Sequence, residues 1–259
     1  MKQRMNRIFR ENGRTFILAM DHGTGLQVLP ELADPGTILD AARTGGVDAV
    51  ICTYGILSAY GSRFGKMSPI VRVDGGPTML GPDGGCTRSL LDPEDALRAG
   101  ADAMVCMGFP GSPHEEVSMM NLQKFVSEGA RLNLPVCAEM LPMGWDSSNW
   151  NPERLTFVSR VGAEYGADFV KTQYTGDKDS FRELVAGCYV PVVILGGPGG
   201  NTERDLLQTV RDSLDAGGAG VAIGRSIWKH RNPAGYCKAI SRIIHEDASV
   251  EDAIRELED

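Results

Sequence analysis

The sequence predicts an α/β fold, a closed (β/α)₈ or TIM barrel, and three observations carry that prediction. Eight short apolar runs recur along 259 residues. Amphipathic segments separate most of them, an alternation that implies parallel strands with crossover helices, because parallel neighbours cannot be joined by tight turns. Several runs are announced by a glycine-led pair, in "GGVDAV", "AGADAM", "YGADFV" and "AGGAGV". There the glycine ends a helix and the chain turns into the next strand.

The predicted strands in order are "TFILAMD" (15–21), "VDAVICTYG" (47–55), "SPIVRVDGG" (68–76), "ADAMVCMGF" (101–109), "LPVCAEML" (134–141), "ADFVKTQY" (167–174), "VPVVILGG" (190–197) and "AGVAIGR" (219–225). Helical patterns such as 151–166 and 201–218 lie between them, and the stretch before the third strand is less regular. Eight such units within about 250 residues is the dimension of the barrel. An open doubly wound sheet is usually announced by G-x-G-x-x-G after the first strand; this chain has "DHGTG" there. The expected organisation is one barrel domain over 1–259, with a peripheral lead-in at 1–14 and a closing acidic amphipathic helix in "SVEDAIRELED".

Composition narrows the function classes. The chain is 42% hydrophobic and 23% charged, enough for a sizeable core. Its net charge of −8 argues against non-specific nucleic-acid binding, which needs a basic surface. No apolar run reaches the roughly 18 residues of a membrane span, and "MKQRMNRIFRENGR" does not read as a signal peptide. Six cysteines (52, 86, 106, 137, 188, 237) form no C-x-x-C pair. They read as buried thiols of a reducing cytosol, so a cytoplasmic protein with no membrane and no nucleic-acid partner is expected.

Function in a barrel collects where strands end. Those ends carry Asp21 and His22, Tyr54, Asp74, Phe109, Glu139, Lys171 and Tyr174, Gly196 to Gly200, and Gly224 with Arg225. In "DFVKTQYTGD", alternation sets Phe169, Lys171 and Gln173 on one face and Val170, Thr172 and Tyr174 on the other. Val170 suits the helix-packed outside, which aims Lys171 inward. Burial disfavours an ammonium, at roughly 1.4 kcal/mol per pKa unit. A neutral amine can attack a carbonyl, and the resulting iminium is an electron sink for carbon–carbon chemistry. The structural alternative is an ion pair with Glu139 or Asp21; the two readings are compatible.

Asp21 shares a face with Ile17 and Ala19. It reads either as a proton-handling or hydroxyl-binding carboxylate or as a turn residue. Glu139 shares a face with Cys137 and Leu141, and a carboxylate within a strand is either a partner of Lys171 or an acid/base group. "ILGGPGGNTERD" (194–205) and "AIGRSIW" (222–228) end the seventh and eighth strands, the habitual phosphate site of this architecture. Glycine lets backbone N–H groups approach a phosphate. Gly196, Gly197, Gly199 and Gly200, with Gly224 and Arg225 opposite, are the candidates, and His22 is added to the same set. Four scattered histidines (22, 114, 230, 245) are a thin supply for zinc. No metal or other cofactor is expected.

"MDHG", "VKTQYTGD", "GGP…NTE" and "GVAIGRSIW" together resemble the class I, Schiff-base aldolases of the DhnA type. That family includes archaeal-type fructose-bisphosphate aldolase, aminodideoxyheptulosonate synthase and autoinducer-2 phosphate thiolase. The similarity covers nearly the whole chain and is strongest from 134 to about 247. It implies a Schiff-base lysine at Lys171, the aspartate at Asp21, and phosphate held by Gly196, Gly197, Gly224 and Arg225. It also implies a ring-like homo-oligomer, with a pentamer-based ring as one form. One departure stands out: many members carry an acid/base tyrosine at the end of strand five, where this chain has Leu141 in "EMLPMGWD".

The expected function is therefore a carbon–carbon lyase acting on a phosphorylated ketose or related carbonyl compound. The alternatives are acyl transfer to coenzyme A from a phosphorylated diketone, motivated by Leu141, a metal-dependent aldolase, and a non-catalytic phospho-metabolite-binding barrel.

Overall fold

A computed structural model describes residues 2–24, 29–76, 78, 80, 86–196 and 202–257. Eight parallel strands close on themselves among these residues: β1 Thr15–Ala19, β2 Ala49–Cys52, β3 Ser68–Arg72, β4 Ala103–Gly108, β5 Val136–Met140, β6 Phe169–Thr172, β7 Val192–Leu195 and β8 Gly220–Ile223. Each strand pairs with its neighbours in chain order, and β8 returns to β1 through Phe16↔Val221 and Leu18↔Ile223. The predicted barrel is the observed one.

Helices follow the strands in turn: α1 Pro35–Thr44, α2 Tyr54–Tyr60, α3 Pro93–Arg98, α4 Glu115–Leu132, α5 Pro152–Glu164, α6 Lys178–Gly187, α7 Glu203–Asp215 and α8 Pro233–Glu246. Most of their starts are capped by side-chain oxygens that take up otherwise unpaired N–H groups. Asp34, Asn151, Asp177 and Asn232 do this, and Thr202 forms a reciprocal capping box with Asp205. The glycines that announce strands have φ of 81° at Gly46, 96° at Gly100, 93° at Gly166 and 98° at Gly217, a backbone region closed to most side chains.

Strand parity divides the apolar residues into two bodies. Phe16, Leu18, Val50, Met104, Val170, Val221 and their like face outward under the helices. Ile17, Ile51, Ile70, Val105, Cys137, Phe169, Val193 and Ala222 fill the barrel. All six cysteines are buried and unpaired. No described helix is long and apolar enough to cross a membrane.

Four features differ from the sequence expectation. The lead-in is not peripheral: Met5, Ile8 and Phe9 join the barrel interior, and the Phe9 ring meets Phe169 edge-on at 5.4 Å. The aspartates of the strand-announcing pairs hold this plug. Asp168 receives Lys2 at 2.8 Å, Asp102 receives Arg4 at 2.9 Å and Arg7 at 2.7 Å, and Asp48 receives Arg10 at 2.5 Å. Tyr54 does not end a strand, because Thr53 caps a helix there and Tyr54 is its exposed first residue. The third strand stops at Arg72, and Asp74–Gly75 then pairs antiparallel with Arg88–Ser89. The C-terminal helix is short, Val250–Ile254, continued by one 3₁₀ turn.

Candidate active site

Lys171 is where parity predicts it, inside the barrel. Its Nζ stands 2.7 Å from Glu139 Oε1, and both side chains are 6% exposed. The pairing follows from register, since Glu139 and Lys171 are direct partners across β5 and β6. Glu139 does not depend on the lysine alone. Its Oε2 accepts a hydrogen bond from Nη2 of Arg72, a residue the sequence reading passed over.

Arg72 organises three carboxylates. Its Nε–H donates to Asp21 Oδ2 at 2.8 Å, its Nη1 lies 3.4 Å from Asp74 Oδ1, and its Nη2 reaches Glu139. The fixed fork of guanidinium donors suits this, where a single ammonium would serve fewer partners. Its inward parity with Ile70 was the signal available in the sequence, the same signal that singled out Lys171.

Electrostatics follow from burial and these pairings. Burial opposes the charge on Glu139, but Lys171 and Arg72 overcome it and hold the carboxyl below the usual range. Burial raises Asp74 to about 6, against the pull of Arg72 and of the Met107 N–H, which donates to Asp74 Oδ2 at 2.8 Å. Burial opposes the charge on Arg72 as well, yet Asp21, Glu139 and Asp74 push its pKa far up. Paired in this way, the buried charges escape the large penalty of an isolated ion.

Asp21 lies just beyond β1 and faces the same cluster. Its Oδ2 is engaged by Arg72, its backbone carbonyl accepts from Thr24, and Oδ1 takes no hydrogen bond from the described residues. His22 turns away, as its parity implies, with its ring edge-on to Trp228 at 5.7 Å. Burial and the nearby Arg225 lower its pKa, with Lys229 adding to the effect against Asp21. His22, Arg225 and Lys229 thus form a basic corner beside the end of β8.

Gly224 sits in that corner at a point of close approach. A Cβ there would lie 2.3 Å from the carbonyl oxygen of Ala19 and 3.0 Å from Trp228 Nε1. Gly196 ends β7 against Ile223. Gly197, Gly199 and Gly200 lie outside the described residues.

Leu141, the position of the missing tyrosine, is fully buried. It packs with Met107 and Phe109, with Leu195 and Trp150 against them. Trp145 stands edge-on to Phe109 at 5.4 Å. Tyr174 faces out, its ring tilted against Phe181 with centroids 5.1 Å apart. No group of three His, Cys, Asp or Glu residues is arranged to hold a metal among the described residues. A groove of about 560 Å³ lined by Arg7, Phe64, Lys66, Pro69 and Asp102 lies at the opposite end of the barrel.

Comparison with known proteins agrees with this geometry. A family model described as DeoC/LacD family aldolase matches residues 15–230. The chain is 36% identical over 252 residues to 2-amino-3,7-dideoxy-D-threo-hept-6-ulosonate synthase of Halobacterium salinarum, covering 97% of this chain and 94% of the relative. It is 32% identical over 253 residues to class 1 fructose-bisphosphate aldolase of Thermoproteus tenax, covering 95% of each. The crystal structure of an archaeal fructose 1,6-bisphosphate aldolase superposes with a TM-score of 0.87 at 31% identity, over 95% of this chain and 99% of that one. Another, with its catalytic lysine covalently bound to the carbinolamine intermediate of the substrate, superposes with a TM-score of 0.86 at 31% identity, over 94% and 98%. A buried lysine paired across one rung of a closed barrel, a family match over most of the chain and relatives above 30% identity along nearly all of it place this protein in the DeoC/LacD family of aldolases, carbon–carbon lyases of the Schiff-base class.

Proposed function

We propose that Lys171 is the Schiff-base lysine and that the substrate is a phosphorylated ketose or a related carbonyl compound. The observation that carries this is the Lys171–Glu139 pair, sealed from solvent at the barrel mouth. Freed of its ammonium proton, the Lys171 amine attacks the carbonyl carbon; that proton, returned to the carbinolamine hydroxyl, lets it leave as water, and an iminium remains. Glu139, kept ionised by its neighbours, stands where that positive charge develops, and a prearranged countercharge in a dry site lowers the barrier.

Cleavage then breaks the carbon–carbon bond beyond the iminium. Its electron pair moves to form the enamine, while the hydroxyl on the departing fragment loses a proton and becomes an aldehyde. Both oxygens of Glu139 are engaged by cations, whereas Asp21 keeps Oδ1 unengaged among the described residues. Asp21 is therefore the acid/base group in this reading, taking over the task that a tyrosine at position 141 would perform. The enamine next takes up a proton, and water hydrolyses the iminium to free Lys171. No metal or organic cofactor enters any of these steps.

The basic corner of His22, Arg225 and Lys229 beside Gly224 and Gly196 is assigned to the phosphate, and Gly197 and Gly199 stay candidates from the sequence alone. Glycine permits close approach of the backbone to an anion, and an arginine fork can engage it at two points. Assembly into a homo-oligomeric ring belongs to the same proposal.

Borohydride reduction in the presence of dihydroxyacetone phosphate, followed by peptide mass mapping, tests the nucleophile. An irreversible adduct at Lys171, absent from Lys171→Met, is the expected result. Turnover without any adduct overturns it. Leu141 motivates the acyl-transfer alternative, and product formation independent of coenzyme A rules against that branch.

A further inference from the structure

Two residues beyond the proposed nucleophile, the side-chain oxygen Oε1 of Gln173 is buried and has no hydrogen-bond partner among the described residues. A buried amide atom without a partner is costly, and native structures leave few of them. Parity places Gln173 on the inward face with Lys171, since Phe169 fills the barrel while Val170 and Tyr174 lie under the helices. Its neighbours explain the missing partner. Continuing the register Thr172↔Ile194 by one step sets Gln173 beside Leu195. Continuing Glu139↔Lys171 by two steps sets it beside Leu141. Both flanking side chains are apolar members of the cluster around Phe109, and neither can donate a hydrogen bond.

We infer that Gln173 is a specificity-determining residue that accepts a hydrogen bond from a hydroxyl of the substrate. Residues two apart on a strand are separated by about 6.6 Å. An amide there reaches atoms one or two bonds from a carbon attached to Lys171. Rotation about its last bond carries Oε1 and the amide N–H groups together, so presenting Oε1 to a hydroxyl turns the N–H groups the opposite way. The substrate class this defines is a ketone phosphate bearing a hydroxyl on the carbon beside the carbonyl, preferred over its deoxy counterpart. A site that leaves a polar group unpaired discriminates against the analogue that cannot pair with it. This inference rests on Lys171 being the Schiff-base lysine.

The test uses two probes that differ in a single hydroxyl, dihydroxyacetone phosphate and hydroxyacetone phosphate. Imine formed at Lys171 is trapped with borohydride over a concentration series and read by intact mass. Wild type should half-saturate at a concentration about 10- to 100-fold lower with the hydroxylated probe, the range expected for pairing one buried polar group. Gln173→Met, close in shape and unable to pair, should remove most of that preference. Gln173→Leu is run alongside, with circular dichroism confirming that each variant is folded. If wild type shows no preference, or if both folded variants retain it, the role of Gln173 is overturned while the Schiff base stands. If neither probe adds mass to wild-type Lys171, the Schiff-base assignment falls and this inference falls with it.

Discussion

Nζ of Lys171 and Oε1 of Glu139 stand 2.7 Å apart across one rung of the β5–β6 ladder, and Arg72 holds the other oxygen of the same carboxylate. Glu139→Gln keeps the volume and removes the countercharge. Turnover should fall by roughly 10²-fold, within the range seen when a prearranged charge-stabilising group is removed. The yield of borohydride-trapped adduct should fall with it. Single-turnover kinetics beside intact mass checks both, and an unchanged rate would make Glu139 a bystander.

Asp21→Asn separates imine formation from bond cleavage. The variant should still trap substrate at Lys171, because Glu139 and Arg72 are untouched. Its turnover should drop by about 10²- to 10⁴-fold, the usual contribution of a positioned acid/base group. Comparison of adduct yield with kcat decides the matter. Parallel loss of both would assign Asp21 to binding instead.

Arg72→Met removes the one cation among the described residues that contacts Asp21, Asp74 and Glu139 together. Stranding buried carboxylates in this way costs on the order of 3–5 kcal/mol. A lowered urea midpoint with an unchanged slope is the expected observation. Adding Asp74→Asn to the same chain should recover part of the loss, because residues that share a partner are not additive.

Asp74 gives stability a pH dependence of definite sign. Its folded-state pKa is raised by burial from 3.8 to about 6. The stability it contributes is fully present below pH 3.8 and is lost as pH rises through 6. The size is on the order of 3 kcal/mol at most. Glu139 works in the opposite sense, and the stability it contributes is lost as pH falls below 4.5. That loss is common to wild type and to Asp74→Asn. Urea titrations of the two proteins across pH 4.5–7.5 should therefore show wild type losing ground to the variant up to about pH 6.5 and holding level above it. Parallel curves would remove Asp74 as the cause.

Much of this architecture was readable from pattern alone. Eight apolar runs became the eight strands, each shorter than its run, because the runs extend into turns and helix starts that do not join the ladder. Parity aimed Lys171, Glu139 and Asp21 into one barrel, and all three are there. The same rule would have found Arg72, whose neighbour Ile70 points inward. It failed at Tyr54, where Thr53 caps a helix before the run ends. It also could not show that Met5, Ile8 and Phe9 would plug the barrel, because that depends on aspartates distant in sequence.

Residue pattern alone sets the eightfold alternation, the inward face of each strand and the kinds of charged group sent to the mouth, since these follow from a period of two and from where apolar residues stop. Which charges meet is a matter of barrel closure. Lys171 and Glu139 are 32 residues apart in number yet become rung partners through barrel register, and Arg72 reaches Asp21 and Glu139 from a third strand. The physical reason is that strand alternation is a local property of the backbone, whereas the pairing of buried charges depends on closure, which sets distant strands side by side and shuts out the water that would otherwise solvate each charge separately.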